Sequence, residues 1–292
     1  MVSRRDAATL IGALGLGASS IPSWSQTATA KVSVLPESPE NQVKAKVRIL
    51  GRTDEGESVW QSSSRLFALT NDGVVPLLQT RGAQRSWWRN EGEGVYRRFP
   101  SSLNYFVDPV TGEFIDEFIN PITGRTTPLV STMQRRQDGE VFTPMGSYFP
   151  ISRQRFPEMY EEKPVSLDWR LDNETIRLFL TENFAPVAPK PIYEVHTYFA
   201  PAEEALSEAH KSARATSSGW YTGKFSRWLD MADVDGYLIW HFEGTKLNSI
   251  DDLDDGYIER AQTLSDVFDV SPEFDQGLSY IDSVQKPVKT EN

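Results

Sequence analysis

Tight-turn signals lie close together between short apolar runs, and this spacing constrains the fold more than any other feature of the chain. Asn71-Asp72-Gly73 separates the run Arg65–Leu69 from the run Val74–Leu78. Further along, Asp172-Asn173-Glu174 interrupts an alternation of apolar and polar residues that resumes at Thr175. Asn, Asp and Gly tolerate the positive φ angles that two-residue hairpin turns require. The chain is therefore predicted to form consecutive antiparallel hairpins, as in a β-barrel or a β-sandwich.

A short internal repeat lies between these two hairpins. Asp108-Pro109-Val110-Thr111-Gly112 recurs as Asn120-Pro121-Ile122-Thr123-Gly124. Asp or Asn before Pro initiates a turn, Pro fixes φ, and Gly supplies a positive φ further on. The favoured interpretation is two hairpin turns of a β-meander. A ligand loop that uses Asp108 and Asn120 is the alternative.

The rest of the chain adds little helix to this pattern. Alternation predicts a strand over Val43–Leu50, whereas residues 131–164 show no clear period. Helices are predicted over Pro201–Arg214, with acids first and bases last, and over Gly256–Leu264. The predicted fold is mainly β with minor α, an antiparallel barrel with C-terminal helices packed across one end.

The first thirty residues have the layout of a bacterial signal peptide. Ser3-Arg4-Arg5 is followed by a glycine-interrupted apolar run, Ala7–Ala18, and by Ala28-Thr29-Ala30 just before Lys31. The paired arginines indicate a twin-arginine signal, so we expect the export machinery of that route as a partner and a periplasmic location. An ordinary secretory signal and an apolar N-terminal helix are the alternatives.

The predicted organisation has four parts. Because the residues after the signal are polar and contain proline, they are interpreted as a flexible leader. The parts are a signal peptide over residues 1–30, a leader over 31–42, a single β domain over 43–282 and a polar tail over 283–292.

Charge and cysteine content exclude several classes of function. The net charge of −11 disfavours a binder of nucleic acid phosphates and docking of the mature chain on an anionic membrane. Without cysteine the chain has no disulfide, no thiol nucleophile, no Cys-ligated zinc, no iron–sulfur cluster and no covalently attached haem. We therefore assign no cofactor.

The segment Tyr237–Glu243 contains the strongest candidate for catalysis. Strand alternation places Tyr237, His241 and Glu243 on one face and leaves the apolar residues between them for the other. A nearby carboxylate can orient an imidazole for general acid–base work. The predicted catalytic group is His241, supported by Glu243 or Tyr237. A half-exposed strand histidine without a role is the alternative.

A second histidine, His196, has a similar setting. Glu194, His196 and Tyr198 share one face of a predicted strand. If this strand neighboured the strand of His241, two histidines and a carboxylate could approach a metal ion. The spacing matches no known ligand motif, so we assign no metal.

Aromatic and basic residues suggest the edge of a ligand pocket. Trp87-Trp88 is flanked by Arg85 and Arg89 beside a glycine-rich segment. Barrel mouths often hold apolar or ring-containing ligands, although each tryptophan could equally be core. The predicted ligand-binding residues are Arg85, Trp87, Trp88, Arg89, His196, Trp220 and Lys246. A solvated lysine is the alternative for Lys246.

A set of short motifs spans most of the chain. They are Trp60-Gln61, Leu66-Phe67-Ala68-Leu69, the paired Pro-x-Thr-Gly turns, Trp220, Arg227–Met231 and Gly236–Lys246 with its His-x-x-Gly-x-Lys ending. Together they resemble the bacterial domain-of-unknown-function family 1838, over about residues 43–287. The resemblance implies a barrel that is lipocalin-like in outline, often with a twin-arginine signal. It implies no reaction.

Three functions remain in competition. The leading hypothesis is an exported protein that holds a small apolar or aromatic molecule in a barrel pocket. The others are a cofactor-independent lyase or isomerase that uses His241, and a non-catalytic scaffold or interaction module. An open lumen with His241 outside it favours the first, His241 inside the lumen favours the second, and a closed dry barrel favours the third.

Overall fold

The structure is a computed structural model that describes residues 35–129, 132–135, 138–157, 160–183, 193–225 and 227–262. The predicted signal peptide and the predicted polar tail lie outside the described residues. No helix in the described ranges is long and apolar enough to cross a membrane.

Antiparallel strands make up most of this part of the chain. The strands are β1 (Gly56–Thr70), β2 (Gly73–Gly92), β3 (Val95–Val107), β4 (Glu117–Ile119), β5 (Thr126–Pro128), β6 (Thr132–Arg135), β7 (Glu140–Thr143), β8 (Gly146–Tyr148), β9 (Asp168–Asp172), β10 (Thr175–Asn183), β11 (Tyr193–Pro201), β12 (Thr216–Gly223) and β13 (Tyr237–Leu247). The helices are α1 (Pro39–Leu50), α2 (Pro150–Arg155), α3 (Ala202–Leu206) and α4 (Asp255–Gln262), with 3₁₀ turns over Arg227–Leu229 and Ile250–Asp252.

One large sheet contains all of these strands except the β4–β5 hairpin. Its order is β8-β7-β3-β2-β1-β13-β12-β11-β10-β9, and β6 also pairs with β3. The first long strand, β1, therefore pairs with the last strand, β13, while both edge strands come from the middle of the chain. The predicted hairpins at Asn71-Asp72-Gly73 and at residues 172–174 are confirmed.

Helix α1 packs against strands from both ends of this order. Val43 and Val47 pack with Trp88 of β2 and Phe142 of β7. On the other side, Ile49 joins a cluster with residues of β10 and β11. Because a single helix contacts both groups of strands, the sheet must curl around α1. No hydrogen-bonded pairing between β8 and β9 closes it, so the predicted closed barrel is not found among the described residues.

A second apolar cluster covers the same face of the sheet at the opposite strand ends. Leu66, Phe106 and Leu238 from the large sheet pack with Phe118 of the β4–β5 hairpin and with Leu229. We call the face that carries this cluster and α1 the inner face, and its reverse the outer face.

The outer face is covered in part by helix α4. Tyr257 and Ala261 of α4 pack on Val59, Ala83 and Leu103, which lie on β1, β2 and β3. The Tyr257 hydroxyl donates to the Leu103 carbonyl oxygen at 2.6 Å and accepts from the Ala83 backbone N–H at 3.0 Å. The second predicted helix is thus confirmed, but it lies on the outer face and not across an end of the sheet.

The N-terminal strand prediction is wrong, because residues 43–50 belong to helix α1. The helix begins at Pro39, inside the predicted flexible leader, and the Ser38 side chain accepts a hydrogen bond from the Asn41 backbone N–H at 3.3 Å. A serine N-cap followed by proline is a helix-start signal. The buried residues Val43, Val47 and Leu50 also follow a helical spacing.

The predicted helix over Pro201–Arg214 is confirmed only over Ala202–Leu206. Pro201 is the last residue of β11, and the residues after Leu206 run as turns and irregular chain to β12. Both the short helix and the chain after it contact α1. Ala205 packs beside α1, and Ala213 donates its backbone N–H to the Arg48 carbonyl at 3.0 Å.

Candidate functional site

Strand register decides which candidate residues share a face. Trp240 of β13 is paired with Leu66 on β1 and with Tyr221 on β12, all on the inner face. The next residue, His241, is paired with Arg65 and Trp220 on the outer face. Each side chain can therefore be assigned to a face by alternation from these pairs.

The middle of the inner face differs from both of its ends. At the ends, large apolar side chains such as Trp88 and Leu238 are fully buried. Between them lies a set of half-buried polar and aromatic residues, which we call the inner belt: Ser62, Gln84, Ser102, Asn104, Glu194, His196, Tyr198 and Phe242. These side chains are half-exposed on the inner face, and we call the space beside them the inner hollow.

Glycines let side chains of the inner belt lie flat against the sheet. A Cβ atom added at Gly82 would come within 1.9 Å of the Asn104 Oδ1 atom. One added at Gly219 would come within 2.4 Å of the Phe242 ring. Asn104 and Phe242 thus occupy the space above these glycines. Glycine inside a strand is typical of such close approaches.

Glu194, His196 and Tyr198 form a hydrogen-bonded group in the inner belt. The Glu194 Oε1 atom lies 2.5 Å from His196 Nε2, and the Tyr198 hydroxyl lies 3.5 Å from His196 Nδ1. The side chains of His196 and Glu194 are 22% and 24% exposed. A carboxylate beside a half-buried imidazole, with a phenol on the other ring nitrogen, is an arrangement that can hold or move a proton.

The predicted catalytic group around His241 lies on the outer face. His241 is half-buried, and its Nε2 atom lies 3.4 Å from the Ser218 hydroxyl of β12. Glu243 and Tyr237 are exposed on the same face. His196 and His241 therefore do not meet, and the two-histidine metal site considered above does not form. No group of three histidine, aspartate or glutamate residues in the described ranges is placed to hold a metal ion.

Trp87 and Trp88 lie in the middle of β2 and point to opposite faces. Trp88 is fully buried on the inner face, where its indole N–H donates to the Ser58 hydroxyl at 2.8 Å. Trp87 is on the outer face, opposite Phe99 of β3. The pair is therefore divided between two sides of the sheet and does not line one pocket edge.

The basic residues expected at a ligand's polar end also point away from the inner hollow. Arg85 lies on the outer face and donates from Nε to Glu57 at 3.0 Å. Arg89 lies on the same face, with its guanidinium over the Phe99 ring at 5.6 Å. Trp220 is 40% exposed on the outer face and contacts the Tyr193 ring.

Lys246 is directed at backbone carbonyls and not at solvent or at the inner hollow. Its ammonium donates to the backbone carbonyls of Arg48 at 2.8 Å, Gly51 at 2.5 Å and Ala213 at 3.0 Å, with a longer contact of 3.3 Å to Ile49. Burial lowers the pKa of Lys246 to about 7, and the nearby Arg52 acts in the same direction. Lys246 thus satisfies the last carbonyls of helix α1, which have no partner within the helix.

The repeated Asp/Asn-Pro-x-Thr-Gly segments form turns, as predicted. The Asp108 side chain accepts from the backbone N–H groups of Val110 and Thr111, each at 2.8 Å. Asn120 caps its own turn in the same way and also donates to the Leu229 carbonyl at 3.0 Å, while it is fully buried. Asn120 therefore fastens the β4–β5 hairpin to the 3₁₀ turn that ends at Leu229.

Sequence reasoning missed the four polar members of the inner belt that lie on β1, β2 and β3. Ser62, Gln84, Ser102 and Asn104 are polar residues inside long strands, at positions that alternate with residues of the outer face. The available signal was the row of small and polar residues at every second position of β1, β2 and β3. It could be read only once the strands were known to be long and continuous.

Comparisons with known proteins give a family and no activity. The model of a family of unknown function, DUF1838, matches residues 57–284. No curated protein and no solved structure matches the chain. Since the matched residues cover most of the sequence and include the motifs that carried the resemblance, this protein belongs to the DUF1838 family.

Proposed function

We propose that this protein binds a small neutral molecule in the inner hollow, and that the molecule has an aromatic ring with hydrogen-bonding substituents. The observation that carries the proposal is the inner belt, in which polar and aromatic side chains stay half-exposed between two apolar clusters. Ligand sites in proteins are typically concave, with a few polar groups among apolar ones.

The composition of the inner belt favours a ligand that mixes ring and polar atoms. Phe242 and Tyr198 offer ring surfaces, and Tyr198 also contacts the edge of Trp60 with the ring centroids 5.7 Å apart. Opposite them, the amide groups of Gln84 and Asn104 offer both donors and acceptors. Gln84 Nε2 donates to the Ser86 hydroxyl at 3.2 Å. A purely apolar ligand would desolvate the amide atoms that lack such a partner, at a cost of about 1–3 kcal/mol each.

Charge favours a neutral ligand over an anion. In the inner belt, the only side chain able to carry a positive charge is His196, which lies against the Glu194 carboxylate. Arg85 and Arg89 lie on the outer face, and the Lys246 ammonium is directed at backbone carbonyls. A ligand carboxylate would therefore meet Glu194 without a free cation to balance it.

Fluorescence titration with 1-aminoanthracene, a neutral ring with one polar group, tests the proposal. We expect saturable binding that Ser62→Phe weakens by about tenfold or more, equivalent to ~1.4 kcal/mol, because the new ring enters the inner hollow. Ser63→Phe is the matched control, since Ser63 is the next residue of β1 and is exposed on the outer face. Asn104→Leu, similar in volume, provides a second inner variant if Ser62→Phe unfolds.

Two results would argue against a ligand site in the inner hollow. One is an absence of saturable binding to the wild type. The other is equal weakening by Ser62→Phe and Ser63→Phe. Native mass spectrometry of the protein purified from its own host would then identify the chemical class of any bound compound.

Export is the second part of the proposal. The paired arginines Arg4 and Arg5 precede an apolar run and the small residues Ala28 and Ala30, which is the order of a twin-arginine signal. Asp6-Ala7-Ala8 departs from the usual pattern directly after the arginines. Replacing both arginines by lysine should retain the protein in the cytoplasm, and cell fractionation would measure this. Unchanged periplasmic recovery of the double variant would exclude the twin-arginine route.

A further inference from the structure

We infer that Glu194, His196 and Tyr198 form a proton relay which opens onto the inner hollow, so that the protein performs acid–base chemistry on a ligand hydroxyl. This inference rests on the proposed ligand site. It moves the reactive group from His241, which lies on the outer face, to a histidine that borders the inner hollow.

The hydrogen bonds fix the direction of the relay. A carboxylate can only accept, so the Glu194 oxygen at 2.5 Å requires the hydrogen of a neutral His196 ring to be on Nε2. Nδ1 is then the basic nitrogen, and it lies 3.5 Å from the Tyr198 hydroxyl. In this order we assign the ligand contact to Tyr198, the storage of the proton to His196 and the orientation of the ring to Glu194.

Packing holds the three side chains in this order. The His196 ring lies nearly parallel to the Tyr198 ring, with an interplanar angle of 7°, and its centroid is 4.7 Å from that of Phe242. Gly219, the register partner of His196 on β12, presents no side chain and leaves room for the Phe242 ring. On the other side, the register partner of His196 on β10 is Leu180.

The charges facing His196 complete the argument. On its own strand they are the Glu194 carboxylate and the neutral Tyr198 hydroxyl. Its direct partners Leu180, Gly219 and Phe242 are uncharged, and Glu182 of β10 is the register partner of Glu194. A proton taken up by His196 thus creates an imidazolium directly beside a carboxylate.

The proton balance of one step is simple. A ligand hydroxyl gives its proton to the Tyr198 oxygen, while the Tyr198 hydroxyl proton passes to Nδ1 of His196. The products are a ligand oxyanion and an imidazolium paired with Glu194. The reverse step protonates a ligand oxyanion through Tyr198. No electron transfer and no further reactant are needed.

A phenol that reports its own ionisation tests the relay. The probe is 4-nitrophenol, whose ionised form absorbs visible light, and displacement of 1-aminoanthracene shows that it occupies the same site. In the wild type we expect part of the bound 4-nitrophenol to be ionised. Its proton stays in the site as the His196 imidazolium, which balances the phenolate, whereas a ligand that arrives as an anion lacks this balance. His196→Gln should lower the ionised fraction of bound probe by about tenfold at the same pH. His241→Gln, the same change on the outer face, should leave it unaltered.

The other two members of the relay give separate signatures. Tyr198→Phe removes the connecting hydroxyl and should lower the ionised fraction as His196→Gln does. Glu194→Gln keeps a hydrogen-bond acceptor beside His196 but removes the negative charge. We therefore expect an ionised fraction of bound 4-nitrophenol between those of the wild type and His196→Gln. Urea unfolding of each variant checks that the fold is retained, and Tyr198→Phe serves if His196→Gln fails to fold.

The outcomes separate the two proposals. If 4-nitrophenol binds and its ionised fraction is the same in wild type and in both His196→Gln and Tyr198→Phe, the relay is wrong and the binding site stands. If neither probe binds saturably to the wild type, the proposed function itself fails. A loss in His241→Gln equal to that in His196→Gln would place the reactive histidine on the outer face and overturn the relay.

Discussion

Replacing Lys246 by methionine removes a buried ammonium from the end of helix α1 and keeps an unbranched side chain of similar length. Two of the carbonyls that accept from Lys246 retain another donor: the Arg48 oxygen accepts from the Ala213 backbone N–H, and the Gly51 oxygen accepts from the Ser212 hydroxyl at 2.7 Å. The carbonyls of Ile49 and Ala213 lose the ammonium.

The expected loss of stability in Lys246→Met follows from these two carbonyls. Each buried acceptor that loses its partner costs about 1–3 kcal/mol, and loss of a cation at a helix C-terminus costs about 0.3–1 kcal/mol more. Relief from burying a charge acts in the opposite direction. We expect Lys246→Met to lower the free energy of unfolding by roughly 2–4 kcal/mol near neutral pH.

The pH dependence gives this prediction a second readout. The pKa of Lys246 is lowered to about 7 in the folded protein, whereas an unfolded lysine titrates near ~10.4. Between these values the unfolded chain binds more protons, so the stability of the wild type rises with pH by up to ~1.4 kcal/mol per unit. Lys246→Met lacks this rise, and its deficit relative to wild type should grow from pH 7 to pH 9.

Urea unfolding followed by tryptophan fluorescence at pH 6, 7 and 9 measures both effects. Lys224→Met, at an exposed position, is the control and should change little. If Lys246→Met were as stable as wild type while ligand affinity fell, Lys246 would be a ligand-binding residue and its role at the end of α1 would be refuted.

Two further predictions concern buried polar groups that join separate elements. Tyr257→Phe leaves a buried strand N–H and a buried carbonyl without their hydroxyl partner, so it should lower the free energy of unfolding by about 2–4 kcal/mol. Tyr193→Phe, at an exposed position, is the control and should change this free energy little. Burial raises the pKa of Tyr257, so its stabilising contribution is lost as pH rises above ~10, where the unfolded tyrosine ionises first. Calorimetry should show that stability falls less between pH 8 and pH 10.5 in Tyr257→Phe than in the wild type. Asn120→Ala should lower the free energy of unfolding by about 2 kcal/mol, because the buried Leu229 carbonyl loses its donor. Asp108→Ala removes only the local turn contacts and should lower it less. Equal urea midpoints for these two variants would contradict the fastening role of Asn120.

Local signals in the sequence were sufficient for the turns and for many strands. Asn71-Asp72-Gly73, the paired Pro-x-Thr-Gly segments and the turn after Asp172 act through backbone angles that depend on a few neighbouring residues. Their outcome did not depend on the rest of the fold, and the structure confirms each of them. The second helix was also predicted, because its buried face is periodic over Asp255–Gln262.

The strand prediction over Val43–Leu50 failed because eight residues can satisfy two periods. Val43, Ala45 and Val47 alternate as in a strand, while Val43, Val47 and Leu50 lie on one face of a helix. The cap at Ser38 and Pro39 was the local evidence that favoured the helix. What fixes α1 in place is not local, since Lys246 and the sheet that curls around the helix come from distant parts of the chain.

The candidate site shows the same division between local and distant information. Alternation alone determined that Glu194, His196 and Tyr198 share a face, and that His241 and Glu243 share a face. It could not determine whether those two faces are the same, because that depends on the register of the strand between them. In the structure, Gly219 of β12 lies opposite His196, and Trp220 lies opposite His241. A shift of one residue in this pairing would exchange the faces, so only the tertiary structure decided that His196 borders the inner hollow and that His241 does not.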